Sequence, residues 1–148
     1  MFASSRRVVR GRSRERRRYT SLTGAWSGAY GYSGLSHGRG DVPFNALLNE
    51  ADGALTGSTD EPNTFAPGEA ASLFANLSGS RAGAKVSFVK TYDGTGGQTH
   101  SIAYEGEVNE AMTRIDGRWR GGWLSGPFFM ERAVAAEEAE EREAEAGA

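Results

Sequence analysis

Apolar and polar residues alternate with a period of two through most of the segment from Leu22 to Arg132. The run Leu22-Thr23-Gly24-Ala25-Trp26-Ser27-Gly28-Ala29-Tyr30-Gly31-Tyr32 puts Trp26, Gly28, Tyr30 and Tyr32 on one side and small residues on the other. That period marks a strand with one buried face. The pattern predicts strand one over 24–32 and strand two over 42–50, with Phe44, Ala46 and Leu48 inward. Strand three carries Leu55, Gly57 and Thr59, and strand four, over 70–78, carries Leu73, Ala75 and Leu77. Strand five, over 85–92, turns Val86, Phe88, Lys90 and Tyr92 to one face. Strand six does the same with His100, Ile102, Tyr104 and Gly106. Polar or Gly-rich stretches at 33–41, 60–69, 81–83 and 93–99 separate these runs.

Turn positions test whether the inward faces agree. A two-residue turn at Asp52-Gly53 sets Glu50 opposite Leu55, Leu48 opposite Gly57 and Ala46 opposite Thr59, which matches the inward sets of both strands. A turn at Asn109-Glu110 sets Tyr104 opposite Ile115, Ile102 opposite Gly117 and His100 opposite Trp119. A turn at Gly121-Gly122 sets Trp119 opposite Leu124 and Arg120 opposite Trp123, an outward cation–π pair. From Leu124 the inward parity runs through Gly126, Phe128, Met130 and Arg132. Three hairpins share one inside, which predicts an all-β fold: an eight-stranded antiparallel up-and-down β-barrel, closed so that no strand edge is left open. The short turns fall at one end and the loops 33–41, 60–69 and 93–99 at the other, with the Gly121-Gly122 turn.

Composition adds the ends of the chain. Of 148 residues, 21 are Gly and only 4 Pro, as suits many short strands and turns. The net charge of -2 hides a segregation: residues 1–19 hold eight Arg against one Glu, and residues 131–148 hold seven Glu against two Arg. We therefore divide the chain into a disordered Arg-rich leader over 1–19, a barrel over 20–132, and a solvated Ala/Glu-rich tail over 133–148. The leader offers weak, sequence-blind contact to nucleic acid, since clustered Arg neutralises phosphate but no interleaved aromatics stack on bases. With no Cys there is no disulfide or thiolate chemistry. No apolar run approaches the roughly 18–20 residues of a membrane span. No signal peptide is recognisable, which favours a cytoplasmic location.

Ser21-Leu22-Thr23-Gly24-Ala25-Trp26 resembles the opening of avidin and streptavidin, and Ala51-Asp52-Gly53-Ala54-Leu55-Thr56-Gly57 resembles their second hairpin. Arg114-Ile115-Asp116-Gly117-Arg118-Trp119 is similar to the strand bearing one of that family's pocket tryptophans, and His100-Ser101 resembles the start of a middle strand. Gly24-x-Trp26 is also similar to the Gly-x-Trp of lipocalins, where an Arg near the last strand packs across the Trp; Arg132 stands on the face where it would do so. The resemblance, over roughly 21–132, implies a calycin-type small barrel. It does not imply biotin: the positions that contact the ureido group in that family fall on Gly28, Thr59 and close to Phe128.

Inward parity gathers Tyr30, Tyr32, Phe88, Lys90, Tyr92, His100, Tyr104 and Trp119 as candidate ligand-binding residues, most of them towards the loop-bearing rim. Aromatic walls supply apolar area, hydroxyls orient, and Lys90 with His100 suits an anionic group. The expected partner is a small hydrophobic or anionic ligand; a homo-oligomer through the barrel wall is a second. The inward glycines Gly28, Gly57, Gly106, Gly117 and Gly126 point to empty volume. The leading function is non-enzymatic small-molecule binding. A structural or oligomerisation module with a filled interior is the alternative, because eight strands enclose little more than their own side chains. A small barrel enzyme of isomerase or cyclase type, using His100 or Tyr104, is the third. No catalytic set, metal site or cofactor motif stands out: His37 and His100 are far apart, Arg39-Gly40-Asp41 is a short tripeptide, and Gly94-Thr95-Gly96-Gly97 lacks the strand–loop–helix setting of a phosphate cradle.

Overall fold

Alternation carries the chain into eight antiparallel strands that pair in sequence order and close, β8 returning to β1. A computed structural model describes residues 19–34, 38 and 40–133. The leader and tail inferred from composition lie outside the described residues apart from Tyr19 and Ala133. The strands are β1 (Gly24–Tyr30), β2 (Val42–Ala51), β3 (Ala54–Pro62), β4 (Ser72–Ala82), β5 (Lys85–Tyr92), β6 (Ser101–Val108), β7 (Arg114–Gly121) and β8 (Leu124–Arg132). A 3-10 turn lies at Thr95–Gly97, between β5 and β6. No helix among the described residues is long and apolar enough to cross a membrane.

The Asp52-Gly53 hairpin has the expected register, Ala51↔Ala54 through Ala46↔Thr59. Both turn residues have positive φ, 51° and 81°, as a tight twisted hairpin requires. The other two hairpins are displaced. Tyr104 faces Trp119, not Ile115, and Val108 takes Ile115, a shift of four residues. Asn109 explains it: its Oδ1 accepts from Thr113 N at 2.8 Å and Arg114 N at 3.1 Å, and its carbonyl accepts from Met112 N, so the loop runs over 109–113. At the last hairpin Gly121 faces Leu124 and Trp119 faces Gly126, so the turn is Gly122-Trp123, with Gly122 at φ 59°. Arg120 consequently lies opposite Ser125, and the outward pairing expected with Trp123 is not formed by the register. Both shifts are even, so every side chain keeps its face.

Three strand ends also differ. β3 runs on through Asp60, Glu61 and Pro62 instead of yielding to a loop at 60. β4 reaches Ala82, so the next turn is Gly83-Ala84. β1 stops at Tyr30, yet Gly31 N and Ser33 N still donate to Pro127 O and Ser125 O, and this continuation along β8 keeps Tyr32 inward and buried.

The lumen is packed from the end that carries the short turns. Leu22, Trp26, Leu55, Val86, Ile115 and Met130 are all at most 2% exposed. Arg132 closes this floor. Its guanidinium carbon lies 4.7 Å from the Trp26 ring centre and 3.8 Å from that of Tyr19, and it donates to the carbonyls of Ser21, Thr23 and Met112. The inward glycines do not open volume. A Cβ on Gly28 would stand 1.9 Å from Phe129 O, and one on Gly117 2.0 Å from Glu105 O. They let neighbouring backbones approach where the strands coil tightly.

Candidate functional site

Alternation along β5 turns Phe88, Lys90 and Tyr92 into the lumen, and alternation along β3 does the same for Glu61. Lys90 and Glu61 are each 2% exposed. Glu61 Oε1 accepts from Lys90 Nζ at 2.8 Å and from the Tyr92 hydroxyl at 2.9 Å, while Oε2 accepts from the Tyr30 hydroxyl at 2.6 Å. The ammonium also lies 4.9, 4.8 and 5.3 Å from the ring centres of Tyr30, Tyr92 and Tyr104. A buried charge needs compensation: here Glu61 receives three hydrogen bonds, and the ammonium is paired with it and faced by three tyrosine rings.

This network sets the electrostatics of the upper lumen. Burial pushes the Lys90 ammonium below its ordinary pKa, against the pull of Glu61. Burial pushes the phenols of Tyr30, Tyr92 and Tyr104 far above theirs, and the Glu61 carboxylate adds to the effect. The three tyrosines are therefore fixed as neutral donors. Lys90 was expected to present its charge at the rim; instead Glu61 neutralises it inside.

Directly beside the network, at the loop-bearing end, lies a cavity of about 250 Å³. Tyr30, Tyr32, Tyr92, His100, Tyr104 and Trp119 all line it. Trp119 is set edge-on to Tyr30 and Tyr32, with ring centres 5.7 and 5.3 Å apart, and its Nε1 donates to Gly31 O at 2.7 Å. Tyr104 stacks on Phe88 at 4.9 Å and meets Phe128 edge-on, so its ring cannot swing. Among the described residues its hydroxyl makes no hydrogen bond.

Of the eight residues gathered from the sequence, the structure brings those six to the cavity. Phe88 lies deeper, as the support under Tyr104, and Lys90 lies behind the tyrosines. His100 precedes β6 and is exposed at the mouth, its ring 4.6 Å from Tyr92 and 5.5 Å from Phe65. Burial, then the charge of Lys90, lowers its pKa from 6.5, so it is largely neutral at pH 7.

Sequence reasoning missed Glu61, Phe65 and the mouth residues Trp123 and Leu124. The signal for Glu61 was present: the inward series Leu55, Gly57, Thr59 continues to 61, but Asp60 and Pro62 look like loop residues. Pro62 is tolerated as the last residue of the strand, opposite Ser72. Phe65 had no such signal, because the 63–71 connection has no periodicity. It is organised by Asn63, whose side chain binds the backbone of Phe65, Ala66 and Ala70.

No family model and no curated protein sequence matches the chain. Solved structures do. A redesigned β-barrel is similar at 8% identity and TM-score 0.60, over 77% of this chain and 92% of that one. A de novo designed fluorescence-activating β-barrel is similar at 10% and 0.51, over 75% and 93%. A mutant of the fluorescent protein UnaG is similar at 14% and 0.41, over 76% and 96%. For the first two the likeness is one of fold, a small closed β-barrel.

Proposed function

We propose that the protein is a non-enzymatic barrel that binds a small, partly apolar molecule at its loop-bearing end. The observation that carries this reading is the cavity of about 250 Å³ walled by Tyr30, Tyr32, Tyr92, His100, Tyr104 and Trp119, in a lumen otherwise filled by side chains. Its walls are rigid before any ligand arrives, since Trp119 is locked by ring contacts and a hydrogen bond and Tyr104 by the rings of Phe88 and Phe128. Preorganised walls reduce the ordering cost of binding. The short stretches that resemble avidin, and Arg132 packed across Trp26 as in the lipocalin pattern, support a calycin-type barrel. Gly28, Thr59 and Phe128 supply no ureido partners, so biotin is not the occupant we propose. Native mass spectrometry of protein purified from its own host tests the reading. One reproducible non-protein mass per barrel is expected; only the bare chain, after gentle isolation, would count against it.

A second reading is favoured by the outer wall. A depression of about 600 Å³ on β1–β4 contains Leu47 and Phe74, which are 62% and 47% exposed. Apolar side chains there suit contact between copies of the chain. Sedimentation of the wild type against Leu47→Asp separates the readings, since only an assembly through this wall would dissociate.

A further inference from the structure

Lys90, Glu61, Tyr30, Tyr92 and Trp119 all surround or line the cavity, but each polar group they carry already has a partner. The two buried charges cancel each other at 2.8 Å. An anion in the cavity would meet no free cation, and a cation no free carboxylate, so either would lose its hydration without replacement. His100 at the mouth adds no charge at neutral pH. The ring N–H groups of His100 and Trp123 stand exposed at the mouth, whereas the Tyr104 hydroxyl, on a residue 3% exposed, lines the cavity and lacks a hydrogen bond among the described residues. Burial first, and then the Glu61 carboxylate, keeps its proton in place, so it serves as a donor. The remaining walls are aromatic faces and edges, and about 250 Å³ holds one or two fused rings.

We infer that the cavity selects an uncharged planar ring bearing one hydrogen-bond acceptor, such as a carbonyl or aza nitrogen, which takes the proton of the Tyr104 hydroxyl. This rests on the small-molecule reading above and names its ligand class. Charge is excluded by the closed Lys90–Glu61 pair, planarity is set by the aromatic walls, and the acceptor is set by the buried Tyr104 donor within them.

Three probes of similar size separate these elements by calorimetry at pH 8: coumarin, which is neutral with a carbonyl; naphthalene, neutral without an acceptor; and 2-naphthoate, an anion. Coumarin is expected to bind about tenfold more tightly than either of the others. Tyr104→Phe is expected to weaken coumarin by about fivefold to tenfold and leave naphthalene unchanged, which also shows that the variant keeps its fold. Naphthoate binding as tightly as coumarin, coumarin binding unaffected by Tyr104→Phe, or no probe binding at all would each overturn the inference. If a host-derived mass persists in native spectra in any of those cases, small-molecule binding stands and only the ligand class falls.

Discussion

Glu61 and Lys90 form their 2.8 Å ion pair from strands that are not neighbours. β4 runs between β3 and β5, with Ala75 placed inward between Thr59 and Tyr92. The small side chain of Ala75 leaves the two long ones room to meet across the lumen. One edge of the pair is covered by tyrosine rings, and those same rings form the wall of the cavity. The charge pair and the cavity are therefore parts of one construction.

Removing one member of the pair leaves the other buried without compensation. Glu61→Gln is expected to lose about 3–5 kcal/mol in urea unfolding. Adding Lys90→Met in that background should recover most of the loss, because the stranded ammonium is gone while the Gln oxygen accepts from one tyrosine hydroxyl and its amide nitrogen donates to the other. Additive losses in the double variant would contradict this coupling.

The buried phenols fix the alkaline limb of stability. Tyr30, Tyr92 and Tyr104 have folded pKa values above those of the unfolded chain, so their contribution is complete below about pH 10 and is lost as pH rises further. Lys90 acts oppositely: its folded value is lowered, so the unfolded chain holds the extra proton and stability rises with pH up to roughly 10.4. Denaturant midpoints should climb gently on the alkaline side and then fall. Phenolate absorbance should show that these three of the five tyrosines ionise only as the barrel unfolds.

Arg132 joins the floor to the chain that enters it. Arg132→Met removes donors to three carbonyls and the cation facing Trp26 and Tyr19, and should cost about 2–4 kcal/mol by chemical denaturation. A loss under half a kcal/mol, roughly the scatter of surface changes, would contradict that role.

Close backbone approach makes a paired prediction. Gly117→Ala should cost about 2 kcal/mol or more, because its Cβ would overlap Glu105 O, whereas Gly68→Ala, with no atom within 4 Å, should change little. Thermal unfolding of the two variants checks both.

Most of the fold was legible because the inside of a barrel is a matter of parity. Two of the three tested hairpins had the wrong partner for Trp119, yet Trp26, Tyr104 and Trp119 are all buried, since shifts of two and four preserve the face. Exact register depended on Asn109 organising its own loop, which alternation does not reveal. The aromatic walls were legible for the same reason as the fold. Glu61 was not, because Asp60 and Pro62 carry loop chemistry while lying in a strand. That single omission left Lys90 seeming free at the rim, when its charge is in fact closed off within. The inward glycines were misleading in another way: absence of a side chain here serves backbone contact, not space.

The central claim is that the upper lumen is a preformed, charge-compensated cavity with an occupant. A crystal structure of the protein purified from its own host tests it most directly. The account expects density for a planar group beside the Tyr104 hydroxyl and Trp119, with Lys90 Nζ in hydrogen-bond contact with Glu61. A lumen filled by Tyr32 or Trp123, or a Lys90 turned out to solvent, would contradict it.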